Sequence, residues 1–252
     1  MIIRSKNNCR NVAGEKMNNK NAIYKKALLL AVPMMVQNGI TNAVSLVDNL
    51  MVGRLGTESM TAVSIAGQLI FVFNLAIFGG ISGPGIYGAQ YYGQGNTKGF
   101  QDIFRLKLWI CILCALAGIA VFFFGGSQLI SLYLHGTSAD IDAGATLEYS
   151  LQYLHIMLLG LIPFSITQVY ASSLRETGES MKPMIAGVAS VVVDVVFNYF
   201  LIYGKFGFPR LGVRGAAIAT VLARVVEMTV VIVWSHAKRE EHTFLKEIYR
   251  TM

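Results

Sequence analysis

Charge is what this chain has least of. Only 14% of its 252 residues are Asp, Glu, Lys or Arg, whereas about a quarter are charged in an ordinary soluble domain. With 54% of the residues hydrophobic, the solvent for most of the chain is expected to be lipid. Proline is scarce too, at five residues, which excludes a Pro-rich linker, and neither a low-complexity tract nor a two-domain split is visible. Three cysteines, Cys9, Cys111 and Cys114, give no disulfide framework. Cys111 and Cys114 sit in an apolar run with no His or further Cys beside them, so they read as packing residues and no metal site is expected. The catalytic signatures H-E-x-x-H and G-x-S-x-G are missing, as is a Ser/Lys pair in helical register, so no catalytic residues are assigned and an enzyme is not expected.

What the chain has instead is length of apolar sequence. A helix needs about 20 mostly apolar residues to cross the hydrocarbon core, and six stretches qualify: 27–52, 61–88, 108–124, 149–172, 184–204 and 215–235. The first is too long for a signal-peptide core and lacks a small-residue cleavage site, so it is expected to remain in the mature protein. This divides the chain into a basic, mobile N-terminal tail (1–26), a six-helix transmembrane lobe (27–235) and a C-terminal tail or inter-lobe linker (236–252).

The net charge of +7 sorts by loop. Segments 1–26, 89–107, 173–183 and 236–252 hold most of the Lys and Arg. Only Arg54, Lys205, Arg210 and Arg214 fall on the opposite side, and Arg224 lies within the sixth span. By the positive-inside rule both termini are cytoplasmic. The basic balance therefore reports topology, and a nucleic-acid partner is not expected.

Polar residues at membrane depth carry the functional signal. In "SLVDNLMVG" Asp48 ends an apolar run, and a carboxylate there costs roughly 2.5 to 3.5 kcal/mol on insertion scales unless it faces protein or water. At 100° per residue Gln37, Asn38, Thr41, Asn42, Ser45, Asp48 and Asn49 all fall in one arc of about 140°. Ile40, Ala43, Val44, Leu46, Val47, Leu50 and Met51 fill the opposite side, as a cavity wall backed by lipid requires. Hydrogen-bonding glue between helices is the plainer reading of the same Asn, Ser and Thr. In "SVVVDVVFNYFLIYG" the fifth span repeats the feature, stacking Ser190, Asp194 and Asn198 on one face.

Two carboxylates enclosed in one chamber lose hydration and repel each other, conditions under which a proton is exchanged near neutral pH. Oxygen ligands would equally hold Na⁺, so the coupling ion is H⁺ or Na⁺ and no cofactor is expected. Arg224 and Glu227, three residues apart, read as a mutually neutralising pair. His155 reads as a hydrogen-bonding residue between helices. Pro33 and Pro163 sit inside spans and are expected to kink them, and the glycines of "FGGISGPGIYGAQYYGQGN" are expected to break the second span near its cytoplasmic end.

Several segments resemble the multidrug and toxic compound extrusion (MATE) transporters. "VDNLMVGRLGTESMTAVSIAGQL" is similar to that family's first span, outer turn and second-span entry, and "GAQYYGQGN" to its first cytoplasmic loop. "RETGESMKPM" resembles the loop between the fourth and fifth spans, and "FNYFLIYGKFGFPRLGVRGAAIATVLAR" the fifth span through the sixth-span entry. The resemblance implies an all-α membrane protein whose six transmembrane helices form one lobe of a normally twelve-helix, two-lobe antiporter. It implies export of amphipathic, cationic small-molecule drugs from the cell in exchange for H⁺ or Na⁺. Asp48 matches the family's acidic first-span position, and Asp194 with Asn198 falls where the fifth span holds an Asn and Asp pair, here in reversed order. These three are the candidate cation-coupling residues, with Gln37, Thr41, Asn42, Ser45 and Ser190 lining the cavity. Because only the N-terminal lobe is matched, the expectation is either a truncated product or a half-size protein completed by a homodimer partner. A non-transporting fragment and a lipid-linked flippase of the same superfamily are the alternatives, the latter disfavoured by acidic rather than cationic polar faces.

Overall fold

A computed structural model describes residues 2–134 and 142–237, with side chains from residue 24 onward except that of residue 26. The side chain of Cys9, and the segment 238–252 expected as a tail, lie outside what is described. Seven helices result: α1 (Ile2–Gly53), α2 (Thr57–Gly93), α3 (Thr97–Leu134), α4 (Ala143–Leu159), α5 (Leu161–Glu176), α6 (Met181–Tyr203) and α7 (Val213–Ala237). The chain is all-helical and membrane-embedded by its segment lengths. Five helices are long and apolar enough to cross a bilayer, among them Ala27–Gly53 of α1, and α4 with α5 makes a sixth span bent by 47°. Helical backbone also runs through the basic segment ahead of Ala27, so the expected boundary there is a change of polarity and not of conformation.

The fourth span departs from its expected single run. Pro163 has no N–H to offer Leu159 and its ring crowds that carbonyl, so α4 stops at Leu159. α5 restarts at Leu161 with Pro163 in its first turn, where the missing donor is harmless. At the elbow Gly160 donates to the Met157 carbonyl at 2.9 Å and accepts from Phe164 at 3.2 Å. At its far end α4 begins on Asp142, whose carboxylate accepts from the Gly144 and Ala145 amides, a standard N-cap.

The second span departs in the other direction. α2 runs unbroken through Pro84 to Gly93, because its glycines serve close approach rather than bending. A Cβ on Gly80 would stand 2.9 Å from Ile110 of α3, and one on Gly85 2.9 Å from a Glu176 oxygen of α5. Small residues at such crossings let membrane helices pack backbone to backbone. The turn into α3 uses Gly95 at φ 70° and Asn96, whose side chain accepts from the Gly99 amide at 3.0 Å.

α2 is the centre of the lobe. Leu69, Phe73, Ile77 and Ile81 are buried along it and meet Phe104, Leu108, Cys111 and Ala115 of α3 and Leu154 and Met157 of α4. Cys111 is buried and Cys114 partly so, both as free thiols. α1 is the peripheral element, laid mainly against α6. Its outer face keeps Leu46 and Leu50 more than 65% exposed, ready for lipid.

Candidate functional site

The site forms where the polar face of α1 meets the polar face of α6. Every third or fourth residue of α6 is buried: Ser190, Asp194 and Asn198 follow one another up one side. Asp194 is 8% exposed and Asn198 1%. The Asn198 side-chain amide donates to Asp48 Oδ1 at 2.8 Å, tying the two helices together at membrane depth. Beside this bond the Asp194 carboxyl adjoins both Asp48 and Thr220 of α7. One Asp194 oxygen and the Asn198 side-chain oxygen are buried without a donor. Two carboxylates and a spare amide oxygen within one pocket form a hard, oxygen-rich set that suits a proton or a small monovalent cation.

Two cavities open from these residues. One, of about 270 Å³, is walled by Gln37, Thr41, Ser45 and Asp48 of α1, by Ser190 and Asp194 of α6, and by Arg224 and Glu227 of α7. The other, of about 510 Å³, lies on the far side of Asp48 against α2 and α4, with Gln68, Tyr153 and Thr220 in its wall. Asp48, Ser45, Thr220 and Arg224 border both, so Asp48 stands at the partition between them.

Residue by residue, the picture is selective. Gln37 is held in place rather than free: it accepts from Arg175 at 3.3 Å and donates to the Pro183 carbonyl at 3.5 Å. Gly187 leaves it room, since a Cβ there would sit 2.7 Å from its amide nitrogen. Thr41 and Ser190 line the cavity but donate their hydroxyls to their own helices, to Gln37 and Gly187 carbonyls. Asn42 is exposed and borders neither cavity. It lies at the edge of the polar arc, about 120° from Asp48, and the contact with α6 is narrower than that arc.

Two further expectations are refined. Arg224 makes no direct ion pair with Glu227, although the two charges lie close enough to attract. Its guanidinium donates to the Gly160 carbonyl at 3.3 Å and lies 5.0 Å over the Phe164 ring. The broken fourth span thus supplies a carbonyl and an aromatic face beside the neighbour one turn away. His155 makes no hydrogen bond to another helix among the described residues; it is exposed, with its ring 5.8 Å from that of Phe123 of α3.

Sequence reasoning missed Tyr153 and Thr220. Thr220 lies four residues before Arg224 and so on the same helix face, a usable signal, whereas Tyr153 gave none within an apolar run. It also missed a buried ion pair. Lys107 of α3, 0% exposed, pairs with Glu176 of α5, while Ser172 donates to the same carboxylate at 2.7 Å. Lys107 reads from sequence as a loop charge, yet it is inside the lobe.

The family model of MatE matches residues 33–200, which takes in Asp48, Asp194 and Asn198. The chain belongs to the MatE family. Among MatE relatives, a probable multidrug resistance protein NorM of Thermotoga maritima is 28% identical over 89% of this chain and 47% of its own length. The multidrug resistance protein PmpM of Pseudomonas aeruginosa is 27% identical over 79% of this chain and 40% of its own. A solved multidrug resistance MATE family transporter in its outward-facing conformation shares the fold, with TM-score 0.70 at 24% identity over 85% of this chain and 45% of that one. The chain thus spans about half the length of the curated relatives it matches, and it is a multi-pass membrane protein of a transporter family.

Proposed function

We propose that the chain is the N-terminal lobe of a cation-coupled multidrug efflux antiporter, with Asp48, Asp194 and Asn198 as its coupling site. The observation that carries the reading is the Asn198–Asp48 bond beside Asp194, set between two cavities at membrane depth. An ion entering this pocket competes with the Asn198 amide for Asp48. Since α1 is the least embedded helix of the lobe, the bond is one of the few polar ties that hold it, with those of Gln37 to Arg175 and Pro183 and of Tyr203 to the Met51 carbonyl. Loading and unloading of H⁺ or Na⁺ would thereby set how α1 lies on α6. Amphipathic, cationic drugs are the proposed cargo, and the cell membrane, with both termini cytoplasmic, the proposed setting.

Alternating access requires two lobes rocking about a shared cleft. Transport is therefore proposed for the assembly that a second lobe completes, from the same polypeptide or a second copy. The flippase alternative calls for a cationic chamber, and Asp48, Asp194 and Glu227 against Arg224 argue against it.

The test uses purified protein in weakly buffered detergent, with a pH indicator recording protons released on addition of NaCl or ethidium. Release by the native chain that disappears in Asp48→Asn and in Asp194→Asn supports the reading. Equal release in native and variant proteins, each folded by circular dichroism, would sink it.

A further inference from the structure

At the opposite end of the lobe from the Lys107–Glu176 pair, a separate cavity of about 430 Å³ lies between the start of α2, the start of α4 and the loop into α7. We propose that it is an anion site for a phosphate group. Its wall contains two guanidinium-bearing residues, Arg210 and Arg214, and no carboxylate. Arg210 has no hydrogen bond or ion pair among the described residues. Arg214 commits only its Nε, to Gln152 at 3.0 Å, leaving its terminal nitrogens for a ligand. Gln152 in turn donates to Glu148 at 2.9 Å, so the nearby acid is occupied outside the wall.

The floor adds neutral donors. Ser59 is 7% exposed, lines the cavity and has no hydrogen-bond partner among the described residues. Left-handed Gly212, at φ 56°, turns the chain so that the first turn of α7 opens at the same wall. The amides of that turn have no acceptor within their own helix and carry the positive end of its dipole. Guanidinium forks, a hydroxyl and helix-start amides around an acid-free hollow match the tetrahedral oxygens of a phosphate. The source is either a soluble phosphate or the headgroup of an anionic lipid at the adjoining leaflet. This inference stands apart from the coupling site, with which the cavity shares no residue.

The test separates the sources. In neutral detergent, ³¹P line broadening of inorganic phosphate is measured on the native chain, on Arg210→Gln/Arg214→Gln and on Ser59→Val. In nanodiscs of phosphatidylglycerol and phosphatidylcholine, the immobilised fraction of spin-labelled phosphatidylglycerol is measured on the same proteins. Broadening that weakens at least about ten-fold in the double variant assigns a soluble phosphate. Absence of broadening with an immobilised lipid fraction lost in the double variant assigns the headgroup. Should the double variant fail to fold, Ser59→Val, which fills the floor without altering charge, reads the same signals and is expected to reduce them. Neither signal in the native protein, or signals unchanged in the folded variants, overturns the site.

Discussion

Two places in this lobe bury carboxylates within the membrane, and they are built on opposite plans. At Asp48 and Asp194, acids adjoin one another, no lysine or arginine reaches ion-pairing distance, and cavities lie on either side. At Glu176, one acid is clamped by a fully buried lysine and a serine, and the glycines of α2 close over it. Burial of charge is common to both, so burial alone does not mark function. What differs is compensation. Glu176 is neutralised within the fold by an ion pair, whereas the α1–α6 acids have none, which is why a cation that comes and goes is proposed for them.

The largest test of that contrast is at Asp48. Asp48→Asn in the complete two-lobe transporter is expected to bring ion-driven ethidium efflux from proteoliposomes to background, with thermal unfolding in detergent little changed. Glu176→Ala should do the reverse. It strands the Lys107 charge and is expected to remove about 3 to 5 kcal/mol of stability, read as a fall in the unfolding midpoint. Replacing both partners, as Lys107→Met with Glu176→Leu, should restore most of that loss. If the double replacement stays as unstable as the single one, the pair does more than balance charge.

Gly85→Ala is a smaller perturbation. Its new methyl would press a Glu176 oxygen from 2.9 Å, and an overpacking cost of about 1 to 3 kcal/mol is expected. Smallest is Asn42→Ala, expected to change stability by no more than about 0.5 kcal/mol and to leave efflux intact. A loss of efflux there would extend the working wall beyond the contact of α1 with α6.

The chamber was legible in the sequence because its signals are local. Asp48 and its polar neighbours repeat with helical period, and Asp194 and Asn198 are one turn apart, so each face is visible without knowing what it meets. The meeting itself, Asn198 on Asp48 across 150 positions, came from tertiary packing: the polar faces suggested a shared chamber and the resemblance grouped the three residues, but neither named the bond. The Lys107–Glu176 pair was illegible for the same reason. Each partner lies at the end of an apolar run, where a charge ordinarily reaches water, and only the crossing of α3 and α5 encloses them. Arg224 was only half read, because a neighbour three residues away is the obvious partner and its bond to Gly160 is not. The Gly160 carbonyl, which already accepts from the Phe164 amide, takes Arg224 as a second donor at the bend that Pro163 makes in the fourth span.

That split has a consequence for how the lobe is made. Chains enter the membrane in order of synthesis, and an arginine at membrane depth is costly until acceptors meet it. The Gly160 carbonyl keeps its bond from the Phe164 amide and still accepts from Arg224 of α7, the last helix of the lobe to leave the ribosome. The elbow is therefore made within the fourth span before the guanidinium that uses it arrives. The bend at Pro163 prepares a seat for the arginine that borders the acidic chamber.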